Sequence, residues 1–284
     1  MIKFFIKIFR LIISFFLFIK FKFFKEYYKT QIFNQNFIHF KSYKAVVKNS
    51  LNKLDEESKK YNILQESLAK SNDLIFIDIG AAVGIRSIIV NNFLNIKKMI
   101  LIEPNEENFK LLSKNIERVK KKANLYNFAL GNKDGEGYLS FPFWVYNSLK
   151  VNSYGQWSLL GNNFFFKKKV KIFKFDNFFK NEFNNENESY FIKIDVEGYE
   201  PYVLEGMNEF LSKNRNIIIE IELNKRILKH IENLDKKLLE QLKKSEFDVF
   251  IYDNNLRKLV TFNYENFENS NKAVIDLICI KKIN

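Results

Sequence analysis

Leu74-Ile75-Phe76-Ile77-Asp78-Ile79-Gly80-Ala81-Ala82-Val83-Gly84 is the stretch that decides the fold of this 284-residue chain. Its apolar, β-branched run reads as a strand buried on both faces of a parallel sheet. The run ends in an aspartate and a small-residue loop with glycines at both ends. Ile85-Arg86-Ser87-Ile88-Ile89-Val90 follows with the apolar spacing of a helix packed on a sheet. Strand, tight turn and helix N-terminus open a nucleotide-binding βαβ unit. What the loop lacks selects the nucleotide. A dinucleotide loop needs G-x-G-x-x-G, but Ala82 holds the middle position and Ser87 lies where no third glycine appears. A P-loop needs a lysine after its second glycine, and none follows Gly84. The loop D-x-G-x-x-x-G, Asp78 to Gly84 with Ala81 inside it, suits a nucleoside without phosphates. S-adenosylmethionine is such a ligand, and a side chain at Gly80 is expected to push into it.

Met99-Ile100-Leu101-Ile102-Glu103 is a second short apolar strand ending in an acid. Glu103 follows Gly80 by 23 residues, near the roughly 20 expected of an acid that grips a ribose diol. A carboxylate suits that task because it accepts from both hydroxyls at once.

Four ordered blocks now carry a family resemblance: Phe76-Ile77-Asp78-Ile79-Gly80-Ala81, Ile102-Glu103-Pro104-Asn105, Asn127-Phe128-Ala129-Leu130-Gly131 and Ile192-Lys193-Ile194-Asp195-Val196-Glu197-Gly198-Tyr199-Glu200. From about Leu74 to Glu222 the chain resembles the FkbM-type S-adenosylmethionine-dependent methyltransferases. It departs from them at Ala82, where asparagine is usual, and at Phe175-Asp176-Asn177, where Leu-Asp-Asp is usual. The resemblance implies an α/β, Rossmann-like class I methyltransferase fold. Its sheet is expected to be mostly parallel and seven-stranded, with helices on both faces. The activity implied is most often O-methylation of a sugar or natural-product hydroxyl.

Along the rest of the chain, Val47, Leu51, Leu54, Tyr61, Leu64 and Leu68 fall at helical spacing and lead into the first strand. Pro104 and Asn105 open a further helix. Asn124 to Leu130 reads as the third strand, its end bordering the adenine through the Asn127 amide or the Ala129 backbone. Lys133 to Gly137 reads as a hairpin bend, and Asp176 as a cap on the helical turn after it. Phe141 to Lys169 fits no period and holds Trp144 and Trp157 with Phe143, Tyr146 and Tyr154, aromatics suited either to covering an acceptor or to pinning a long loop. Further strands are expected at Tyr190–Asp195, Ile217–Glu222, Phe247–Tyr252 and Ala273–Ile280.

Residues 1–44 are expected to form a basic aromatic extension, and 45–284 the methyltransferase domain. Lys3, Lys7, Arg10 and Ser14 share one face of a helix otherwise built of Phe, Ile and Leu. The apolar run Leu11 to Ile19 is shorter than the roughly 20 residues of a spanning helix. An amphipathic helix lying on the membrane surface is therefore expected, with a helix packed on the domain as the alternative. The net charge of +13 and the 32 phenylalanines accompany abundant Lys, Asn and Ile, as AT-rich coding produces, so no nucleic-acid partner is inferred. The single Cys279 fits a reducing cytoplasm and excludes an internal disulfide or thiolate zinc site. A cytoplasmic protein, peripheral on the inner face of the membrane, is the expected location.

For catalysis, the acids that end the fourth strand are the available tools. Asp195 is expected to orient or deprotonate an acceptor hydroxyl, and Glu197 to support it or bind a neighbouring hydroxyl. The cofactor edge is assigned to Asp78, Gly80, Ala81, Gly84, Glu103, Asn105, Asn127 and Ala129, with no metal ligand. Two rivals stand beside this reading: a divalent-metal O-methyltransferase using Asp195, Glu197 or Glu220, and a noncatalytic membrane-associated scaffold.

Overall fold

The computed structural model describes residues 26–68, 74–140, 158–160, 167–183, 188–228 and 233–282. The basic face Lys3-Lys7-Arg10 and the aromatics Trp144, Trp157, Phe143, Tyr146 and Tyr154 lie outside them.

The described chain starts with a hairpin, β1 (Tyr27–Ile32) and β2 (Gln35–Phe40), where an extension was expected. Its two-residue turn, Phe33-Asn34, has positive φ at both positions, +45° and +61°. That is the type I′ geometry that suits strand twist and usually needs Asn-Gly, so the sequence Phe-Asn carries little turn signal. Helices α1 (Lys44–Asn52) and α2 (Leu54–Leu68) follow and bury Val47, Tyr61, Leu64 and Leu68, as their spacing predicts.

β3 (Leu74–Ile79) is buried at every residue, which is why its sequence is an unbroken apolar run up to Asp78. Next come α3 (Ile85–Phe93), β4 (Ile96–Ile102), α4 (Glu106–Asn115) and β5 (Ala123–Tyr126). The expected third strand is two: β5 ends at Tyr126, and β6 (Ala129–Gly131) belongs to another sheet. The break falls where the Asn127 amide turns back to the carbonyls of Glu103 and Pro104. β7 (Gly135–Ser140) and β8 (Lys167–Lys174) complete that small sheet in the order β6-β8-β7. β8 thus separates the two strands around Lys133–Gly137, and that turn is a crossover, not a hairpin bend.

β9 (Ser189–Ile194) is again buried throughout and leads to α5 (Glu200–Gly206) and α6 (Asn208–Lys213). Asp176 accepts from the backbone N–H of Glu209 and Phe210, so it caps α6 and not the turn after itself. The chain ends with β10 (Ile217–Asn224), α7 (Leu234–Lys244), β11 (Phe247–Asp253), β12 (Lys258–Thr261), α8 (Tyr264–Asn269) and β13 (Val274–Lys281).

The main sheet runs β12-β11-β13-β10-β9-β3-β4-β5. From β11 to β5 this is the seven-stranded class I order, parallel except for β13, which runs antiparallel to both neighbours. The eighth strand, β12, is a four-residue edge on β11, too short for alternation to reveal. One face buries Ile77, Ile192 and Ile219 under α5, α6 and α7. The other buries Phe76 and Phe191 with Ile89 of α3, Tyr61 of α2, Leu112 of α4 and Phe37 and Phe40 of the hairpin. The hairpin is part of the domain core, inside the stretch read from sequence as an extension.

Candidate active site

β3 and β9 pair in parallel with Asp78 opposite Lys193 and Ile79 opposite Ile194. Their carboxyl ends therefore stop level, at the edge where open α/β sheets bind ligands. Backbone bonds carry the sheet into the loops. Gly80 N and Ala81 N both donate to Ile102 O at 2.9 and 3.0 Å, and Asp195 N donates to Ile79 O at 3.0 Å. The loops hold strained backbone on both sides: Ala82 at φ +49° after β3, and Glu197 at φ +55° after β9. Such non-glycine residues persist where the surrounding structure over-determines them, commonly at ligand sites.

Between these loops lies a cleft of about 560 Å³, part of it open to solvent. Of the residues assigned from sequence, Gly80, Glu103, Ala129, Asp195 and Glu197 line it. Asp78, Ala81, Gly84, Asn105 and Asn127 sit around it as supports. Asp78 is buried and accepts from the Ser87 hydroxyl at the start of α3; burial pushes its carboxyl up to about 6. Ala81 is tied to Ile102 through its backbone, and Gly84, at φ +86°, precedes α3 and packs against Leu112. Asn105 caps α4 by accepting from Glu107 N at 3.0 Å. Asn127 spends its amide N–H groups on the loop after β4.

Glu103 is only 5% exposed. Its Oε2 accepts from Ala82 N at 2.9 Å, and its Oε1 from Asn105 N at 2.7 Å. Burial pushes its carboxyl up to about 7 despite these bonds. One acid thus fixes both the glycine loop and the loop after β4. Oε1 also accepts from Asn108 Nδ2 at 3.4 Å, so the second lone pair of Oε2 remains for a ribose hydroxyl. The donor set fits a nucleoside diol.

Acids crowd the β9 side. Lys193 is buried beneath them and meets Asp276 at 3.1 Å, Asp195 at 3.5 Å and Glu220 at 3.8 Å. Burial alone lowers a lysine, but these carboxylates outweigh it and hold the ammonium well above its ordinary value. Glu197 keeps part of its side chain exposed, yet desolvation and the neighbouring Asp195 and Glu200 raise its carboxyl well above the usual range. Glu200 was not assigned a role from sequence. Its Oε1 accepts from Val196 N at 3.0 Å and Gly198 N at 3.1 Å, so it holds the loop that presents Glu197. Among the described residues, no group of three His, Cys, Asp or Glu side chains is placed to hold a metal ion.

Sequence reasoning also missed Asn108, Tyr199, Leu139 and Leu159, all of which line the cleft. Asn108 carried a readable signal, being a polar residue one turn before Leu112 on the packed face of α4. Leu159 did not: it reaches the cleft because Ser158 pairs with Ser140 at the end of β7.

A model of the methyltransferase FkbM domain matches residues 78–249. The chain belongs to the FkbM methyltransferase family. The family's cofactor is S-adenosylmethionine. Solved structures similar to this family member include a methyltransferase FkbM from Methylobacillus flagellatus KT, at 13% identity and TM-score 0.44, covering 74% of this chain. The chain spans only 44% of that protein's length. A precorrin-6y C5,15-methyltransferase from Geobacter metallireducens is similar at 13% identity and TM-score 0.39, over 76% of this chain and 86% of its own. TYW2 of M. jannaschii, solved in complex with AdoMet, is similar at 10% identity and TM-score 0.38, over 89% of this chain and 84% of its own. No curated protein matches the chain.

Proposed function

We propose that this FkbM-family methyltransferase methylates a hydroxyl oxygen of a sugar, a glycolipid or another cell-envelope intermediate. The observation that carries the reading is the presence of two carboxylates, Asp195 and Glu197, in the same cleft as Glu103, the acid we assign to the ribose. S-adenosylmethionine, when bound, supplies an electrophilic methyl carbon. An attacking hydroxyl must be aligned with that carbon and relieved of its proton. Glu197 is assigned as the proton acceptor: it lines the cleft, and desolvation with the neighbouring Asp195 and Glu200 raises its affinity for a proton. A cation bound beside it draws it toward the charged form, ready to accept. Asp195, held by the Lys193 ammonium at 3.5 Å, orients the hydroxyl.

The basic face of Lys3, Lys7 and Arg10 supports a place at the membrane surface, where envelope sugars are assembled on lipid carriers. Among the described residues no helix is long and apolar enough to cross a membrane.

The test is transfer of labelled methyl from S-adenosylmethionine into fractionated lipid-linked and soluble glycans. Label is expected in a glycan fraction. It should fall by about 10²–10⁴-fold with Glu197→Gln and with Asp195→Asn, while both variants still bind S-adenosylhomocysteine. Label in no glycan fraction, or variants working at the wild-type rate, would refute the proposal.

A further inference from the structure

We infer that the hairpin preceding the family-matched region completes the cofactor site: Asn108 binds the ligand's diol, and Tyr43 positions Asn108. The inference rests on the S-adenosylmethionine reading of the cleft.

Tyr43 ends the single 3₁₀ turn Lys41–Tyr43 that follows β2, and it is 3% exposed. Its hydroxyl is buried with no hydrogen-bond partner among the described residues. It lies beside Asn108 and within the fields of Glu103, Glu197 and Asp195, three acids of the cleft. Asn108 is likewise 3% exposed and lines the cleft. Its Nδ2 donates to Glu103 Oε1 at 3.4 Å, while its Oδ1 is a second buried oxygen without a partner. A buried polar atom left unpaired destabilises the fold. Two such atoms side by side at a cleft wall are accounted for if a ligand completes the set.

The chemistry names the ligand. An amide oxygen next to a carboxylate offers two acceptors to two neighbouring hydroxyls, which is what a ribose diol requires. The Asn108 carbonyl has two lone pairs, one for a ribose hydroxyl and one for the Tyr43 O–H. Burial and the surrounding carboxylates raise the Tyr43 phenol well above its ordinary value. Tyr43 therefore stays a donor and acts as no base. Its donation fixes which way the amide faces, with Oδ1 toward the diol and Nδ2 toward Glu103.

The hairpin is held firmly enough for this. The Asn115 side chain accepts from Ile38 N at 2.8 Å and donates to Ile38 O at 2.9 Å and Val83 O at 2.8 Å. One amide thus clamps β2 to the glycine loop itself. Arg118 adds a bond to Asn34 O at 2.9 Å. Tyr43 reaches the cofactor edge from a segment 35 residues before the matched domain begins.

Tyr43→Phe in the full-length chain removes only the oxygen. The unliganded melting temperature should stay close to the wild-type value, because the phenol closes onto Asn108 only with the diol in place. Affinity for S-adenosylhomocysteine by calorimetry should fall about tenfold, equivalent to about 1.4 kcal/mol. Adenosine and 2′,3′-dideoxyadenosine provide the readout that packing alone would not move. Wild type should prefer adenosine, and the preference should shrink with Tyr43→Phe and shrink further with Asn108→Ala, Glu103 still holding the other hydroxyl. Unchanged S-adenosylhomocysteine affinity in Tyr43→Phe, or an intact diol preference in Asn108→Ala, would overturn the inference. Failure of the wild-type chain to bind S-adenosylhomocysteine at all would remove the cofactor reading, and this inference with it.

Discussion

Gly80 and Asp195 approach so closely that a Cβ on Gly80 would lie 2.0 Å from the Asp195 carbonyl oxygen. The loop that holds the cofactor and the loop that carries the acids are therefore set against each other, backbone to backbone. From sequence, a side chain at Gly80 was expected to push into the cofactor; in the structure it meets Asp195 first. Gly80 also stands at φ +89°. Gly80→Ala should combine left-handed strain, worth roughly 1–3 kcal/mol, with displacement of the acid loop. A lowered melting temperature together with lost S-adenosylhomocysteine binding is expected. A Gly80→Ala variant that melts and binds like wild type would show that the contact is soft.

Ala82, the departure from the family's usual asparagine, occupies φ +49°. Among non-glycine residues, asparagine tolerates that conformation best. Ala82→Asn should stabilise the fold modestly, by roughly 0.5–1 kcal/mol read from urea unfolding, and keep cofactor binding. Its amide would stand in the cleft beside Glu103, so S-adenosylhomocysteine affinity should hold or rise. A loss of stability would mean the neighbouring backbone imposes some other constraint on the side chain.

Glu200 and Glu197 are near neighbours with different work. Glu200→Ala leaves the N–H groups of Val196 and Gly198 without their acceptor and should cost about 3 kcal/mol of stability. Glu200→Gln keeps an acceptor oxygen and should retain most methyl transfer, whereas Glu197→Gln should fold normally and lose it. Equal turnover by the two glutamine variants would contradict this division.

Three buried acids tie stability to pH. Burial pushes Glu103 and Glu200 up to about 7 from an ordinary 4.5, and Asp78 up to about 6 from 3.8. Between those limits the folded chain holds protons that the unfolded chain has released, so stability must fall as pH rises. Glu57, lowered to about 2 by Arg86 and Lys60 in spite of its burial, and Asp276, lowered chiefly by Lys193, work in the opposite sense, but only below the ordinary carboxylate range. Urea midpoints of the unliganded protein should therefore decline from pH 5 to pH 8. Each of the two glutamates contributes on the order of 3 kcal/mol to the full decline. Glu103→Gln should flatten the slope, and a midpoint that rises over this interval would show that the acids are better solvated than their burial indicates.

The hairpin also sets where the membrane hypothesis can be tested. Lys41 N donates to Glu26 O at 2.9 Å, so truncation up to Lys29 would cut into β1. Removing residues 1–25 should leave the melting temperature and S-adenosylhomocysteine binding intact while releasing the protein from anionic vesicles in sedimentation. Salt should weaken attachment of the full chain, since surface charges are screened beyond roughly 8–10 Å at 0.1–0.15 M. Full-length protein that ignores such vesicles would remove the surface-helix reading.

The strands ending at Asp78, Glu103 and Asp195 were legible because an unbroken apolar run and the acid that closes it are local features. Their spacing placed the three acids at one sheet edge, and the motif blocks supplied the strand order. Legibility ended where a residue's role depends on what packs against it. Asn127 and Asn105 stand at the expected places, yet their amides brace loops, which only the approach of Glu103, Pro104 and Glu107 decides. The hairpin's Phe-Asn turn follows the sheet's twist without the residues that usually announce it. Tyr43 and Glu200 meet the cleft through contacts that carry no period in the sequence. Local patterning specifies which elements form; burial then determines which side chains find partners, because an unpaired polar group costs free energy only after water has been excluded from it.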